Sequence, residues 1–398
     1  MNSTTDSLPI EYDSLKPVFP DIGHFTVGGV LATVFVCGTI ANGCGLITFF
    51  KTKHLRSPTN TFIISLLVGD FCMCFFGIPM AMSSSFKTHW LWGTAGCNLE
   101  GFLVYFFGCA NMYTLCAISM DRYVVIAMPL HSSKITHRVA KLSVLLCWTL
   151  GFFWAVVPFF GWSYYDLEAA HTSCAVVWES HDPVVVSYNI TIFVFVFFIP
   201  VLVMMFAYVN VYLTIRNVAR NNVWDMTSRI ARKNLAIEKK MFKTILIMVG
   251  VFLFAWTPYA VVSFWAAFIG ARGIPVAVQT VPAMAAKCSS VCDPFIYVVT
   301  NKQFRKAFYK IIPCAGLRQK LEEIEDREPE KSGEDSGTYS KSKKQVEPPK
   351  KVNMVQPIEE DEVETQVDTI RSSPGVNSQT KRDAIELEDI NEGEQAQA

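Results

Sequence analysis

VPAMAAKCSSVCDPFIYVV, residues 281–299, is an apolar run with one lysine, Lys287, and one acid, Asp293, in its interior. At ~1.5 Å per residue, a helix of this length approaches the ~30 Å of a bilayer's hydrocarbon core. Lys287 lies well inside either end, so snorkelling to the headgroups is awkward. The run is not isolated. A spanning helix needs ~20 predominantly apolar residues, and seven stretches qualify. They are approximately Phe25–Phe50, Thr59–Ser83, Cys97–Met120, Val139–Phe160, Ser187–Leu213, Met241–Phe268 and Pro275–Val299. Some carry proline or polar residues, which packed helices tolerate because neighbours satisfy the freed backbone groups. A soluble bundle would need polar faces that these runs lack. The expectation is an all-α membrane protein built as a seven-transmembrane helix bundle.

Charge gives the bundle a direction. The 398 residues are 51% hydrophobic and 18% charged, below the roughly one quarter of a soluble domain. From Lys320 onward there are 11 Lys and Arg against 21 Asp and Glu, which leaves 24 and 14 for residues 1–319 out of 35 of each. A net charge of zero therefore joins a basic body to an acidic tail. Basic residues mark the cytoplasmic loops of membrane proteins. Lys51, Lys53 and Arg56 follow span one, Arg122, Lys134 and Arg138 follow span three, and seven more lie between Arg216 and Lys240. The other side has Lys16, Lys87 and Arg272. The N-terminus is thus expected outside and the C-terminus in the cytoplasm, with no cleavable signal peptide in the polar first 24 residues.

Four regions follow: an extracellular tail (1–24), the bundle (25–300), an amphipathic helix (301–314) and a disordered acidic tail (315–398). Asn2 in Asn-Ser-Thr is an N-glycosylation candidate. A second sequon at Asn189 begins span five and is expected to be buried and unused. Phe304, Ala307 and Phe308 line one face of the short helix and basic residues the other, a pattern for the inner leaflet. Cys314 follows, placed for palmitoylation. The tail beyond has one aromatic residue, Tyr339, and the composition of a disordered chain.

Charges within spans are expensive enough to be functional. Here they are Asp70, Glu100, Asp121 with Arg122, Lys287 and Asp293, with Glu238 at the start of span six. A buried lysine either pairs with a carboxylate or reacts, and such amines form Schiff bases with carbonyl compounds. The residues alone leave both readings open. Glu100, three residues after Cys97, is the natural partner. Glu168, in the loop after span four, is a second acid on the same side. Cys97 and Cys174 both lie on the oxidising face, and a disulfide between them would draw that loop across the mouth of the bundle.

With these residues in view, the chain resembles the opsins, the retinal-binding members of the rhodopsin-like G-protein-coupled receptors, over about residues 25–315. Asn42 in IANGCG, Asp70 in LLVGD, Trp148, Pro200 with Tyr208, FLFAWTPY at 252–259 and DPFIY at 293–297 match markers of successive helices. DRYVVIAMPL at 121–130 matches the end of span three. Each motif is short; their order and spacing make the match specific. The resemblance implies that Lys287 carries 11-cis retinal as a Schiff base, with Glu100 or Glu168 as counterion. It places Gly108, Phe252, Trp256 and Tyr259 in the retinal pocket and Asn42, Asp70, Asp293 and Tyr297 in a polar network.

The resemblance also implies signalling. Arg122 beside Asp121, reaching Glu238, resembles the resting-state lock; Tyr123 of the same DRY motif joins them among the residues of G-protein activation, and Asn301, Lys302 and Gln303 resemble the G-protein-contacting tripeptide of ciliary-type opsins. The expected partners are a heterotrimeric G protein of the inhibitory/transducin class or the stimulatory class, arrestin, a receptor kinase acting on tail hydroxyls such as Ser336 and Ser372, and membrane lipid. Neither nucleic acid nor a metal is expected, and the chain is not expected to be an enzyme. The expected location is the plasma membrane or a photoreceptor membrane. Departures from vertebrate visual pigments at Val104, Tyr105, Val196 and Asp293, with the long tail, point to a non-visual or invertebrate kind. A retinal photoisomerase without signalling and a receptor for a diffusible ligand are the competing functions.

Overall fold

The computed structural model describes residues 19–221, 229–270, 274–312, 316 and 318–321. Its helices are α1 (Asp21–Lys51), α2 (Pro58–Cys72), α3 (Ile78–Lys87), α4 (Gly93–Ala127), α5 (His137–Val156), α6 (Pro183–Ile192), α7 (Ile199–Asn221), α8 (Arg229–Phe268), α9 (Val276–Cys288), α10 (Cys292–Thr300) and α11 (Lys302–Ile311). Spans two, five and seven each consist of two of these helices in series, joined by a short irregular turn. The first six spans are each long and apolar enough to cross a membrane. The seventh runs through α9 and α10, and α11 follows it. α1 begins at Asp21, four residues before the stretch read as apolar.

Local chemistry sets the ends. Ser57 and Thr136 accept hydrogen bonds from the Asn60 and Val139 amides at 3.2 and 3.3 Å, and Asp182 from the Val184 amide at 2.8 Å. Each satisfies an amide that the first helical turn leaves open. Pro58 and Pro183 follow two of these caps, where a missing N–H costs nothing. Asn301 caps α11 through the Phe304 amide at 3.0 Å.

The breaks within spans have identifiable causes. Pro200 has no N–H to return to the preceding turn, and the helix widens to a π turn over Phe193–Phe198. The Phe195 carbonyl instead accepts the Tyr113 hydroxyl of α4 at 3.0 Å. A second π turn, Met73–Gly77, precedes Pro79 in span two. In span seven the 3-10 turn Ser289–Val291 separates α9 from α10. There the Ser289 and Ser290 hydroxyls donate to the Ala286 and Lys287 carbonyls at 2.7 and 2.8 Å.

α4 is the central helix, in contact with spans two, four, five and six. Side chains turned away from the bundle are apolar and exposed, such as Phe254 (83%). That inside-out pattern suits lipid as the solvent. Across one end lies a hairpin of β1 (Tyr165–Leu167) and β2 (Cys174–Val176), antiparallel with Tyr165 opposite Val176 and Leu167 opposite Cys174. Tyr165 anchors it by donating to the Ala155 carbonyl at 2.7 Å. Burial pushes this hydroxyl's pKa up, so it remains a donor.

Candidate functional site

The loop expected after span four is this hairpin, and the Cys97–Cys174 disulfide ties it to α4. Cys174 does more than cross-link. Its amide donates to Glu100 Oε2 at 2.5 Å. Glu100, fully buried, then presents Oε1 to Lys287 Nζ at 3.2 Å. Glu168, in the hairpin turn, approaches the same amine at 3.5 Å and accepts from the Ser173 hydroxyl. The three charges that the sequence places on three separate segments thus meet at one point. A lone ammonium here would bear a large desolvation cost, and the two carboxylates offset it.

Two adjoining cavities lead away from the amine. One, of about 30 Å³, is bounded by Lys287, Glu168, Tyr105, Trp256 and Tyr259. The other, of about 70 Å³, shares Tyr105, Trp256 and Tyr259 and continues along Gly108, Met112 and Phe252. The sequence-read pocket residues therefore all line the second cavity, and Trp256 and Tyr259 line the lysine chamber as well. Phe252 stacks on Trp256 at 5.4 Å. Trp256 Nε1 donates to Ser289 Oγ at 3.1 Å, which fixes its ring against span seven. Gly108 faces that ring so closely that a Cβ would lie 2.7 Å from Trp256 Cη2. Trp178, not singled out from sequence, donates to the Tyr259 hydroxyl at 3.1 Å. Its position depends on the hairpin's path, which no local pattern reveals.

The four residues read as one polar network divide. Asn42 donates to the Ser290 carbonyl at 2.8 Å. Asp70 accepts from Asn111 at 2.8 Å. Tyr297 stands apart, donating to Asn60 at 2.9 Å. Asn111 was missed; a lone amide in the middle of span three was its signal. The buried sequon residue Asn189 is fully inaccessible and donates to the Val177 carbonyl.

At the opposite end of the bundle, Arg122 contacts Asp121 at 2.6 Å, Glu238 at 2.5 Å and the Thr59 hydroxyl. Thr59 also donates to Asp121 at 2.9 Å. The Tyr123 ring packs on Phe206 at 5.3 Å. Asn301 caps α11, Lys302 opens that helix and Gln303 is exposed on it. Asn2, Cys314, Ser336 and Ser372 lie outside the described residues.

Comparison with known proteins agrees with this layout. The sequence matches the family described as 7 transmembrane receptor (rhodopsin family) over residues 41–297. It is 35% identical to Melanopsin-A of Danio rerio over 79% of this chain and 55% of that protein. It is 36% identical to Melanopsin of Felis catus over 75% and 63% of the two chains, and 35% identical to Melanopsin of Homo sapiens over 75% and 64%. The chain thus spans less than two thirds of these relatives' length. The crystal structure of squid rhodopsin superimposes with a TM-score of 0.69 at 30% identity, over 78% of this chain and 93% of that one.

Proposed function

The chain belongs to the rhodopsin family of seven-transmembrane receptors and is an opsin, and from that premise we propose that it is a light sensor holding 11-cis retinal covalently on Lys287. Members of this family are signalling receptors, not enzymes. The observation that carries the reading is the Lys287 amine, buried beside Glu100 and Glu168 at the end of an aromatic-walled cavity. The chemistry of the lining fits the group: aromatic and apolar walls for a polyene, and an amine that can form an imine.

Retinal, when bound, supplies the absorption of light and a change of shape. The chain supplies the rest. Glu100 holds a negative charge where a protonated imine nitrogen would stand, which keeps the absorption in the visible. Trp256, braced by Phe252 and Ser289, resists displacement until the cavity's contents change shape. Arg122, held by Asp121, Thr59 and Glu238, keeps spans two, three and six together at the far end. Parting of Arg122 from Glu238 exposes that face to a heterotrimeric G protein, a population shift biased by the ligand. The basic loops favour a cytoplasmic position for this end and an outside one for the hairpin, in a plasma or photoreceptor membrane. Asn301, Lys302 and Gln303 favour the inhibitory/transducin class over the stimulatory one. Arrestin and a receptor kinase are the expected regulators. The Arg122–Glu238 pair weighs against a photoisomerase that does not signal.

Reconstitution with 11-cis retinal tests the proposal. The expected result is a visible band absent from Lys287→Ala, with light-dependent nucleotide exchange on an inhibitory-class G protein. A normal band in Lys287→Ala, or no band in the wild type, overturns the chromophore assignment. A fall in cyclic nucleotide on illumination separates the inhibitory class from the stimulatory one.

A further inference from the structure

A third cavity, of about 240 Å³ and open to solvent, is lined by the hairpin, α8 and α9. Six polar side chains line it, Asp166, Glu168, His171, Glu179, Ser263 and Gln279, more than line either cavity already described. Glu168 and Tyr259 belong both to this vestibule and to the lysine chamber. Glu168 is therefore a partition with one face toward outside water and the other 3.5 Å from Lys287 Nζ. Its side chain is 18% exposed, whereas that of Glu100 is wholly buried and backed by the Cys174 amide. The two acids beside the amine thus differ in access, one sealed and one wetted.

We propose that the vestibule is an aqueous path to Lys287, gated by Glu168, through which small neutral and cationic solutes reach the amine while anions are held back. The selectivity follows from charge. Three carboxylates, Asp166, Glu168 and Glu179, line the path, and no lysine or arginine does among the described residues. A narrow acidic passage with low-dielectric walls raises the local concentration of cations and lowers that of anions. The inference rests on the assignment of Lys287 as the retinal anchor only for its use. With that anchor, the path brings the water that any hydrolytic release of an aldehyde from the amine must consume. The apolar cavities serve the polyene and the vestibule serves water, so chromophore and solvent reach the same nitrogen from different sides.

The test uses the ligand-free full-length protein. Formaldehyde with neutral dimethylamine–borane methylates accessible amines, and mass spectrometry of the Lys287 and Lys87 peptides compares the buried amine with an exposed one. Lys287 is expected to become methylated. Gln279→Trp, which narrows the passage, should slow this at least tenfold without changing Lys87. Glyoxylate, an anionic aldehyde, should label Lys287 at least tenfold more slowly than formaldehyde relative to Lys87. Asp166→Arg and Glu179→Arg, both at exposed positions, should restore glyoxylate labelling several-fold. An unreactive Lys287, equal rates in Gln279→Trp, or equal treatment of the two aldehydes would overturn the proposal. Pigment formation with 11-cis retinal is measured on the same samples. Labelling without a pigment refutes the retinal assignment alone; a pigment without vestibule-dependent labelling refutes this inference alone.

Discussion

At the scale of the residue, the chemistry centres on one amine and two acids that are not equivalent. Glu100 stands at 3.2 Å from Lys287 and is fully buried; Glu168 stands at 3.5 Å and is partly wetted. A sealed charge is screened less than a solvated one. Glu100→Gln is therefore expected to move the absorbance maximum of the retinal-loaded protein into the ultraviolet near neutral pH without added chloride. Glu168→Gln should retain a visible band, and the reverse result would exchange their roles. Gly108→Ala places a methyl group against the Trp256 ring. Overpacking of this kind costs about 1–3 kcal/mol, so pigment yield per unit of expressed protein should fall several-fold. Lys287 and Glu100 were legible in the sequence because a charge in an apolar run is conspicuous. From its own position Glu168 was legible only as a loop acid, and the family resemblance alone marked it as a counterion candidate, since its distance to Lys287 depends on where the hairpin folds. Thr59, which bridges Asp121 and Arg122, gave no signal, because a threonine near a span's end is unremarkable.

At the scale of the element, the seven spans were visible as hydrophobic runs, but their internal breaks were not. A proline marks a missing donor without saying whether the helix will kink, end or widen. In span five it widens because Tyr113 of another helix is at hand for the Phe195 carbonyl. Such compensation belongs to the tertiary structure. The hairpin was hidden for a related reason: three-residue strands carry too little alternation to register. Its attachment is testable. Cys174→Ala removes a native disulfide, at a cost of about 2–5 kcal/mol. The thermal midpoint of the ligand-free protein should fall. The visible band should weaken too, since the Cys174 amide that positions Glu100 is no longer held.

At the scale of the whole molecule, two ends of one bundle do different work. The hairpin end holds the amine and its acids, and the far end holds Arg122 against Glu238 at 2.5 Å. Glu238 is only partly exposed, so the pair is screened less than one fully on the surface. Glu238→Gln should raise nucleotide exchange in the dark several-fold while leaving the absorbance maximum unchanged. A dark rate equal to the wild type's would show that this pair does not restrain the bundle. Lysine and arginine counts gave the two ends an expected sidedness. Which charges would meet was less legible, because α4 carries Glu100 at one end and Arg122 at the other and its neighbours decide both pairings. One residue also connects assembly to colour. Cys174 joins the disulfide through its sulfur and positions Glu100 through its amide. A receptor leaving its birthplace with that bond unmade would lack a properly seated acid, and its faulty spectrum would betray incomplete maturation before any signal was sent.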